Sequence, residues 1–427
     1  MHKTTYSIKT EFLAGLTTFL TMSYIVIVNP AILATEGTGM PHSGIVTATV
    51  LVAFSMTLLM GLYAKLPFAV APGMGLNAFF TYQVVLTQKV PWPIALGAVF
   101  WSGILFLLIS ATPLREIVAH AIPKSIRMAA AGGIGLFLTL IGLKSAGLVV
   151  ASSATLVKIG HLGWPQIFCI LGIFVIVAMM KHFQSLAFLT AIVFVTCLTL
   201  IKGDLQLPAA FFASPDFSSV FGQLDIMGAL KISLLPTIIS IMLTDMFDSI
   251  STFVGVSHAG GLLDEEGNPK NLRRGLLVDA IATFFSGIAG TSPGTAYIES
   301  AAGIKVGGRT GLTSIFTALF FVPCLFMAPI IGMVPTIATA PVLIVLGAMM
   351  FSSIQQIEQN KYEELIPAFL TLIMIPLTFS ITQGLLWGMI SHVVCYLISS
   401  RAKEISVATW VLSGICLGLL VIENYLL

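Results

Sequence analysis

The chain has 427 residues, 57% of them hydrophobic and only 9% charged, with a formal net charge of +2. Soluble domains carry about 25% charged residues, so the composition excludes an ordinary soluble globule and describes a polytopic membrane protein with the lipid bilayer as its solvent. The near-neutral balance gives no basis for binding nucleic acid, and none is expected as a partner.

Residues 1–11 are short and polar. The apolar run after them is too long for a signal peptide and has no small-residue cleavage site, so it is expected to stay as the first span. A spanning helix needs about 20 apolar residues. On that basis the chain divides into fourteen segments near 12–33, 44–63, 73–88, 94–112, 128–146, 165–180, 186–201, 232–257, 275–290, 294–304, 310–330, 334–352, 364–380 and 384–399. Two of them, 73–88 and 294–304, are too short or too interrupted to span. The run 406–425 is either an extra span or a surface helix. Placing the N-terminus in the cytoplasm puts fifteen of the twenty Lys and Arg inside and five (Lys89, Lys144, Lys158, Lys202, Lys231) outside, the bias expected of that orientation. The five cysteines lie in apolar runs without ligand spacing and read as small buried hydrophobes.

The chain repeats itself weakly. Leu20-Thr21-Met22 is echoed by Leu243-Thr244-Asp245, and Pro72-Gly73 by Pro293-Gly294, at nearly the same separation along the chain. Seven segments separate the paired elements, and an odd number inverts the second copy. Inverted repeats with discontinuous helices belong to secondary transporters, whose site lies at the repeat interface.

Polar residues fall where apolar ones are expected. In 72–80, Asn77 offers a donor and an acceptor; the alternative is an interhelical hydrogen bond. Phe79 and Phe80 are a stacking face for a flat ligand or, equally, core packing. Asp245 and Asp248 share one face of the segment 232–257. Two such close carboxylates in a low dielectric form a candidate proton site; the alternative is a pair of helix caps at a break. Asp279 follows Arg273 and Arg274, and an ion pair with them near the membrane interface is the favoured reading. The stretch 293–303 places Glu299 at membrane depth beside Ala296 and Tyr297, and all three are substrate-binding candidates with Asn77, Phe79 and Asp245. An acidic residue there is a functional hypothesis by default; the alternative is a clamp between half-helices, and Ser300 reads as support for irregular backbone. His120, His161, His182 and His258 fall in loops without metal spacing, and 264–269 reads as a solvated turn. No metal or cofactor is expected. There is no H-E-x-x-H, no phosphate-binding P-loop and no Cys/His pair in a membrane segment, so the chain is read as a transporter driven by an ion gradient and not as an enzyme.

These residues resemble the nucleobase–cation symporters, specifically the AzgA-like purine permeases. The resemblance covers nearly the whole chain and is most specific at Glu11–Phe19, Pro72–Phe80, Thr244–Ser249 and Gly290–Gly303. It implies an all-α fold of seven plus seven inverted segments, with segments 3 and 10 each a short strand plus a half-helix. A core domain (1–115 and 206–331) would move against a gate domain (116–205 and 332–427, including the C-terminal tail). It also implies proton-coupled uptake of adenine, guanine or hypoxanthine across the cytoplasmic membrane. By position, Asp245 and Glu299 match the family's substrate-binding acidic residues, Asn77 its polar residue on segment 3, and Asp248 an acidic residue tied to transport. Asp279 matches an Asp frequent in the wider superfamily, which makes it a second proton-coupling candidate. A homodimer is a candidate assembly. An anion exchanger of the same fold is disfavoured by the carboxylates; a channel and a membrane-embedded hydrolase are the remaining alternatives.

Overall fold

The computed structural model describes residues 7–112, 121–264, 269–358 and 360–425. Arg115, His120 and 265–268 of the solvated turn lie outside them. Among the described residues nine helices are long and apolar enough to cross a membrane. The other segments expected to be helical are the interrupted pair and helices that are shorter or less apolar.

In chain order the elements are α1 (Ile8–Met22), α2 (Ile25–Leu33), α3 (His42–Leu59), β1 (Val70–Pro72), α4 (Met74–Ala78), α5 (Trp92–Ala111) and α6 (Lys124–Ser145). Then come β2 (Val149–Ser152), β3 (Leu156–Ile159), α7 (Trp164–His182), α8 (Ala187–Lys202), α9 (Leu235–Gly260), α10 (Leu272–Ala289) and β4 (Gly294–Ala296). The chain finishes with α11 (Ser300–Val306), α12 (Gly311–Phe321), α13 (Ala328–Gly332), α14 (Thr336–Phe351), α15 (Tyr362–Thr378), α16 (Ile381–Ile398) and α17 (Val407–Tyr425). The run 406–425 is thus one helix, and it packs on α16.

Two elements depart from the sequence reading, the first span and the connection after α6, while α9 keeps to it. The first span is broken at Ser23–Tyr24. The Ser23 hydroxyl turns back onto Leu20 O (3.1 Å), and the N–H groups of Val26 and Ile27 bond three residues back, not four. By contrast α9 runs 26 residues without interruption, so the cap-at-a-break alternative for Asp245 and Asp248 falls away. The connection after α6 carries an antiparallel hairpin, Val149 opposite Ile159, that the hydropathy pattern does not signal.

Two packing groups stand out. In one, α6 lies along α14 and α15, α15 along α16, and α7 against α8 and α14. In the other, α1 packs on α11 and α12, α3 on α10 and α12, and α5 on α9 and α10. Small residues allow the close crossings. A Cβ on Gly135 of α6 would lie 2.5 Å from Gly347 O of α14, and one on Gly347 2.3 Å from Gly135 O. With lipid as apolar as the side chains, such backbone approach supplies the packing energy. The groups meet through α9 with α16, α4 with α6, and α1 with α8.

Between the half-helices lies a two-stranded antiparallel ribbon, β1 with β4, pairing Val70 with Ala296 and Pro72 with Gly294. Helix is denied there because proline lacks an N–H and clashes with the preceding turn, and Pro67, Pro72 and Pro293 flank both strands. Gly290 (φ +93°) ends α10 and Gly307 (φ +119°) ends α11 in backbone that other side chains rarely adopt. A buried ribbon leaves two outer edges whose N–H and C=O groups have no water to bond, at a cost of several kcal/mol each. Side chains cover them. Thr57 of α3 both accepts from Val70 N–H and donates to Val70 O, each at 2.9 Å. On the opposite edge Asp279 Oδ1 accepts from Ala296 N–H at 2.8 Å, and Thr283 donates to Gly294 O at 3.0 Å. The step along the chain from Thr57 to Asp279 matches the separation of the sequence repeat, so the edges are closed from corresponding places in the two halves.

Candidate functional site

The ribbon and the half-helices α4 and α11 gather three of the four acidic residues singled out in the sequence, Asp245, Asp279 and Glu299, and each has its own setting. Asp279 is fully buried. Besides the Ala296 N–H it accepts the Ser249 hydroxyl, and Ser249 lies 2.7 Å from Thr295 Oγ1. The expected ion pair with Arg273 and Arg274 is absent. Arg273 donates to Ala111 O (3.2 Å), and Arg274 lies over the Tyr63 ring. The reason is helical phase. Residue 279 lies six positions after Arg273 and five after Arg274, too far round the helix to share their face, and the ribbon edge needs the carboxylate.

Asp245 is also fully buried, on the face of α9 turned toward the ribbon. Its Oδ2 shares the Thr283 hydroxyl with Gly294 O, while Oδ1 has no hydrogen-bond partner among the described residues. Asn77 donates from Nδ2 to Asn29 Oδ1 at 3.1 Å, and its own Oδ1 is likewise without a partner. Asn29 in turn donates to Thr49 and Thr291 and accepts from Ser292. Asn77 therefore makes the interhelical bond and still presents an unused acceptor. Unpaired buried acceptors are costly and rare, so Asp245 Oδ1 and Asn77 Oδ1 are the two atoms here best suited to meet a donor that arrives from outside.

Glu299 is half-buried where the ribbon passes into α11 and accepts from the Tyr24 hydroxyl at 2.6 Å. Tyr24 stands at the break between α1 and α2. Tyr297 donates its N–H to Ala69 O (2.9 Å) and its hydroxyl to Pro72 O, and Ser300 Oγ accepts from Ala69 N–H at 3.0 Å. Ala296, Tyr297 and Ser300 thus hold the ribbon. Phe79 and Phe80 are packed in the main apolar core.

Asp248 differs from its neighbours. Protein surrounds it, yet its side chain is accessible, and it lines a partly open cavity of about 50 Å³ together with Thr244, Phe247 and Ser251 of α9. Across the cavity stand Arg127, Ala130 and Ile134 of α6, Met350 of α14 and Leu385 of α16. Along α9 the accessible residues continue as Ser251, Gly255 and Ala259, one helical stripe running to the end of the helix. Among the described residues none of the four carboxylates forms an ion pair.

The sequence reading did not single out Tyr24, Asn29, Arg127 or Thr283. Thr283 was discoverable, since it lies four residues after Asp279 on the same helix face. Tyr24 was not, because its partner Glu299 lies 275 residues away in the chain.

Comparison with known proteins places these features in a family. The profile of the Permease family (Xan_ur_permease) matches residues 9–386. The chain is 41% identical to the adenine permease AdeP of Escherichia coli, over 93% of this chain and 89% of that one. It is 37% identical to the guanine/hypoxanthine permease PbuO of Bacillus subtilis, over 93% and 94%. Among solved structures, the transmembrane domain of the cyanobacterial bicarbonate transporter BicA superposes with a TM-score of 0.62 at 17% identity, over 94% of this chain and 98% of that one. That likeness shows the fold, the seven-plus-seven inverted repeat of this transporter class. A profile match over most of the chain, close relatives along nearly their whole lengths, and a ribbon closed from corresponding positions of two inverted halves agree: the chain belongs to the nucleobase–cation symporter family, whose members are permeases and not enzymes.

Proposed function

We propose that this protein carries purine bases, the cargo named for its adenine and guanine/hypoxanthine permease relatives, into the cell together with protons. It would sit in the cytoplasmic membrane with its N-terminus inside, as the Lys and Arg distribution supports. The observation that carries the reading is the division of labour among the carboxylates. Asp248 lines an accessible cavity between α9 and α6, while Asp245 and Glu299 present acceptor oxygens at the ribbon itself.

A neutral purine offers ring N–H and amino donors along one edge. Glu299, Asp245 and the free Asn77 oxygen supply acceptors for that edge, and the tight Tyr24 contact fixes the angle of Glu299. A site built to bond a particular edge rejects analogues that lack it, because its own polar groups are then left unpaired. Asp248 is the proton carrier in this reading. Asp279 is chiefly a ribbon clamp, with any coupling role exerted through Ser249. The two packing groups support a core domain (1–115 and 206–331) that moves against a gate domain (116–205 and 332–427), and the cavity lies where they face each other.

The test is uptake of labelled hypoxanthine by the purified protein in liposomes. The expected result is saturable accumulation that needs an inward proton gradient, collapses with a protonophore, and is competed by purines more strongly than by uracil. Accumulation without any ion gradient, or flux that never saturates, would overturn the proposal.

A further inference from the structure

The cavity beside Asp248 holds a second charge that the transport reading has not used. Arg127 lies in the first turn of α6, on the wall opposite Asp248. Its guanidinium carbon is 5.9 Å from the centroid of the Phe247 ring, the residue next to Asp248. Its Nε is buried without a hydrogen-bond partner, and among the described residues it forms no ion pair. The surroundings are mostly apolar: Ile122, Ala130, Ala131, Ile134, Met350 and Leu385. A half-buried guanidinium with one donor unused lacks an acceptor, and a carboxylate facing it across the cavity is the partner that would satisfy both that donor and the charge.

The other titratable groups nearby do not compete for it. Glu299 is engaged by Tyr24, and Asp245 and Asp279 are turned into the ribbon. On the far side of α6, Glu364 accepts from Ser125 and Tyr396, and His392 stacks on Tyr396 with ring centroids 4.4 Å apart. Asp248 is the carboxylate that shares the cavity with Arg127.

We propose that Arg127 is a latch that replaces the coupling proton on Asp248 when the empty transporter returns. The inference rests on the symport reading above. With Asp248 protonated the α9 wall is neutral, Arg127 stays on the Phe247 ring, and the cavity is open. Once substrate and proton have left, ionised Asp248 draws Arg127 across as the two walls approach. The cavity then closes around a neutral pair, and the core crosses the apolar barrier without an uncompensated charge. A proton arriving from the other side displaces Arg127 and frees the core for the loaded step. The proton and the guanidinium are thus alternative partners of one carboxylate, which ties the return of the empty carrier to proton release.

The experiment compares two modes of transport by the same reconstituted variants: net uptake driven by a proton gradient, which needs the empty carrier to return, and purine counterflow exchange, which does not. Arg127→Ala and Arg127→Gln are expected to lower net uptake at least tenfold while lowering exchange no more than about threefold, and Arg127→Lys to restore part of the net uptake. In an Asp248→Asn background, Arg127→Gln should produce no further loss, because no carboxylate remains to be paired. Equal losses of net uptake and exchange, unchanged net uptake, or an additive loss on Asp248→Asn would each overturn the latch. Failure of the parent protein itself to accumulate purine under a proton gradient would instead overturn the symport reading, so the two failures are distinguishable.

Discussion

The Tyr24 hydroxyl donates to Glu299 Oε1 at 2.6 Å, joining residues 275 positions apart in the chain. The contact ties the break in the first span to the junction of the ribbon with α11. A hydrogen bond to a charged group is worth about 1.5–3 kcal/mol. Glu299→Ala is therefore expected to weaken purine binding by about 10- to 150-fold, and Tyr24→Phe, which keeps the carboxylate but loses its orientation, by about fivefold. Calorimetric titration of the purified variants reads both; parent affinity in a folded Glu299→Ala protein would remove Glu299 from the site.

Asp245 and Asn77 each present one unpaired acceptor oxygen. Asp245→Ala is expected to lose binding to the same degree as Glu299→Ala. Asn77→Ala is expected to alter which purines compete more than it alters overall uptake, since Asn77 is a single neutral partner worth about 1 kcal/mol. A competition panel of adenine, guanine and hypoxanthine against labelled substrate measures this, and an unchanged rank order in Asn77→Ala contradicts it.

Asp248 lines the cavity in place of the ribbon. Asp248→Asn fixes the neutral form, so accumulation driven by a pH gradient should fall at least ten times more than purine exchange does. Both are measured on the same reconstituted variant. If Asp248→Asn concentrates purine as well as the parent, the coupling proton resides on another group, with Glu299 the next to test.

Asp279 closes the outer edge of β4 and accepts the Ser249 hydroxyl. Asp279→Ala leaves a buried N–H unpaired and is expected to lower stability by about 2–3 kcal/mol. Asp279→Asn retains an acceptor and should lose less than half of that. Thermal unfolding in detergent separates the two, and equal melting temperatures for Asp279→Ala and the parent would argue against the clamp.

Much of the architecture was legible in the residues. Apolar length located the spans. Pro72 and Pro293, with the glycine that follows each and the repeat they share, marked the two interrupted segments and their relation. Glu299 stood out because a carboxylate at membrane depth is costly. What could not be read was the direction in which each polar side chain faces. Asp245 and Asp248 were one pair in the sequence, three residues apart on one face. In the structure a rotation of about 60° between positions i and i+3 of a helix of 3.6 residues per turn is enough to place one against the ribbon and the other on the cavity. Sequence proximity points Asp279 to Arg273 and Arg274. The unpaired Ala296 N–H that claims it is created only when β4 forms, and that strand exists only because β1, from the other half of the chain, lies beside it. Sequence alone determined which groups the membrane would make expensive to bury. Tertiary structure decided which of them are satisfied by the protein and which are left facing a cavity, because that depends on partners brought together from both halves of the chain.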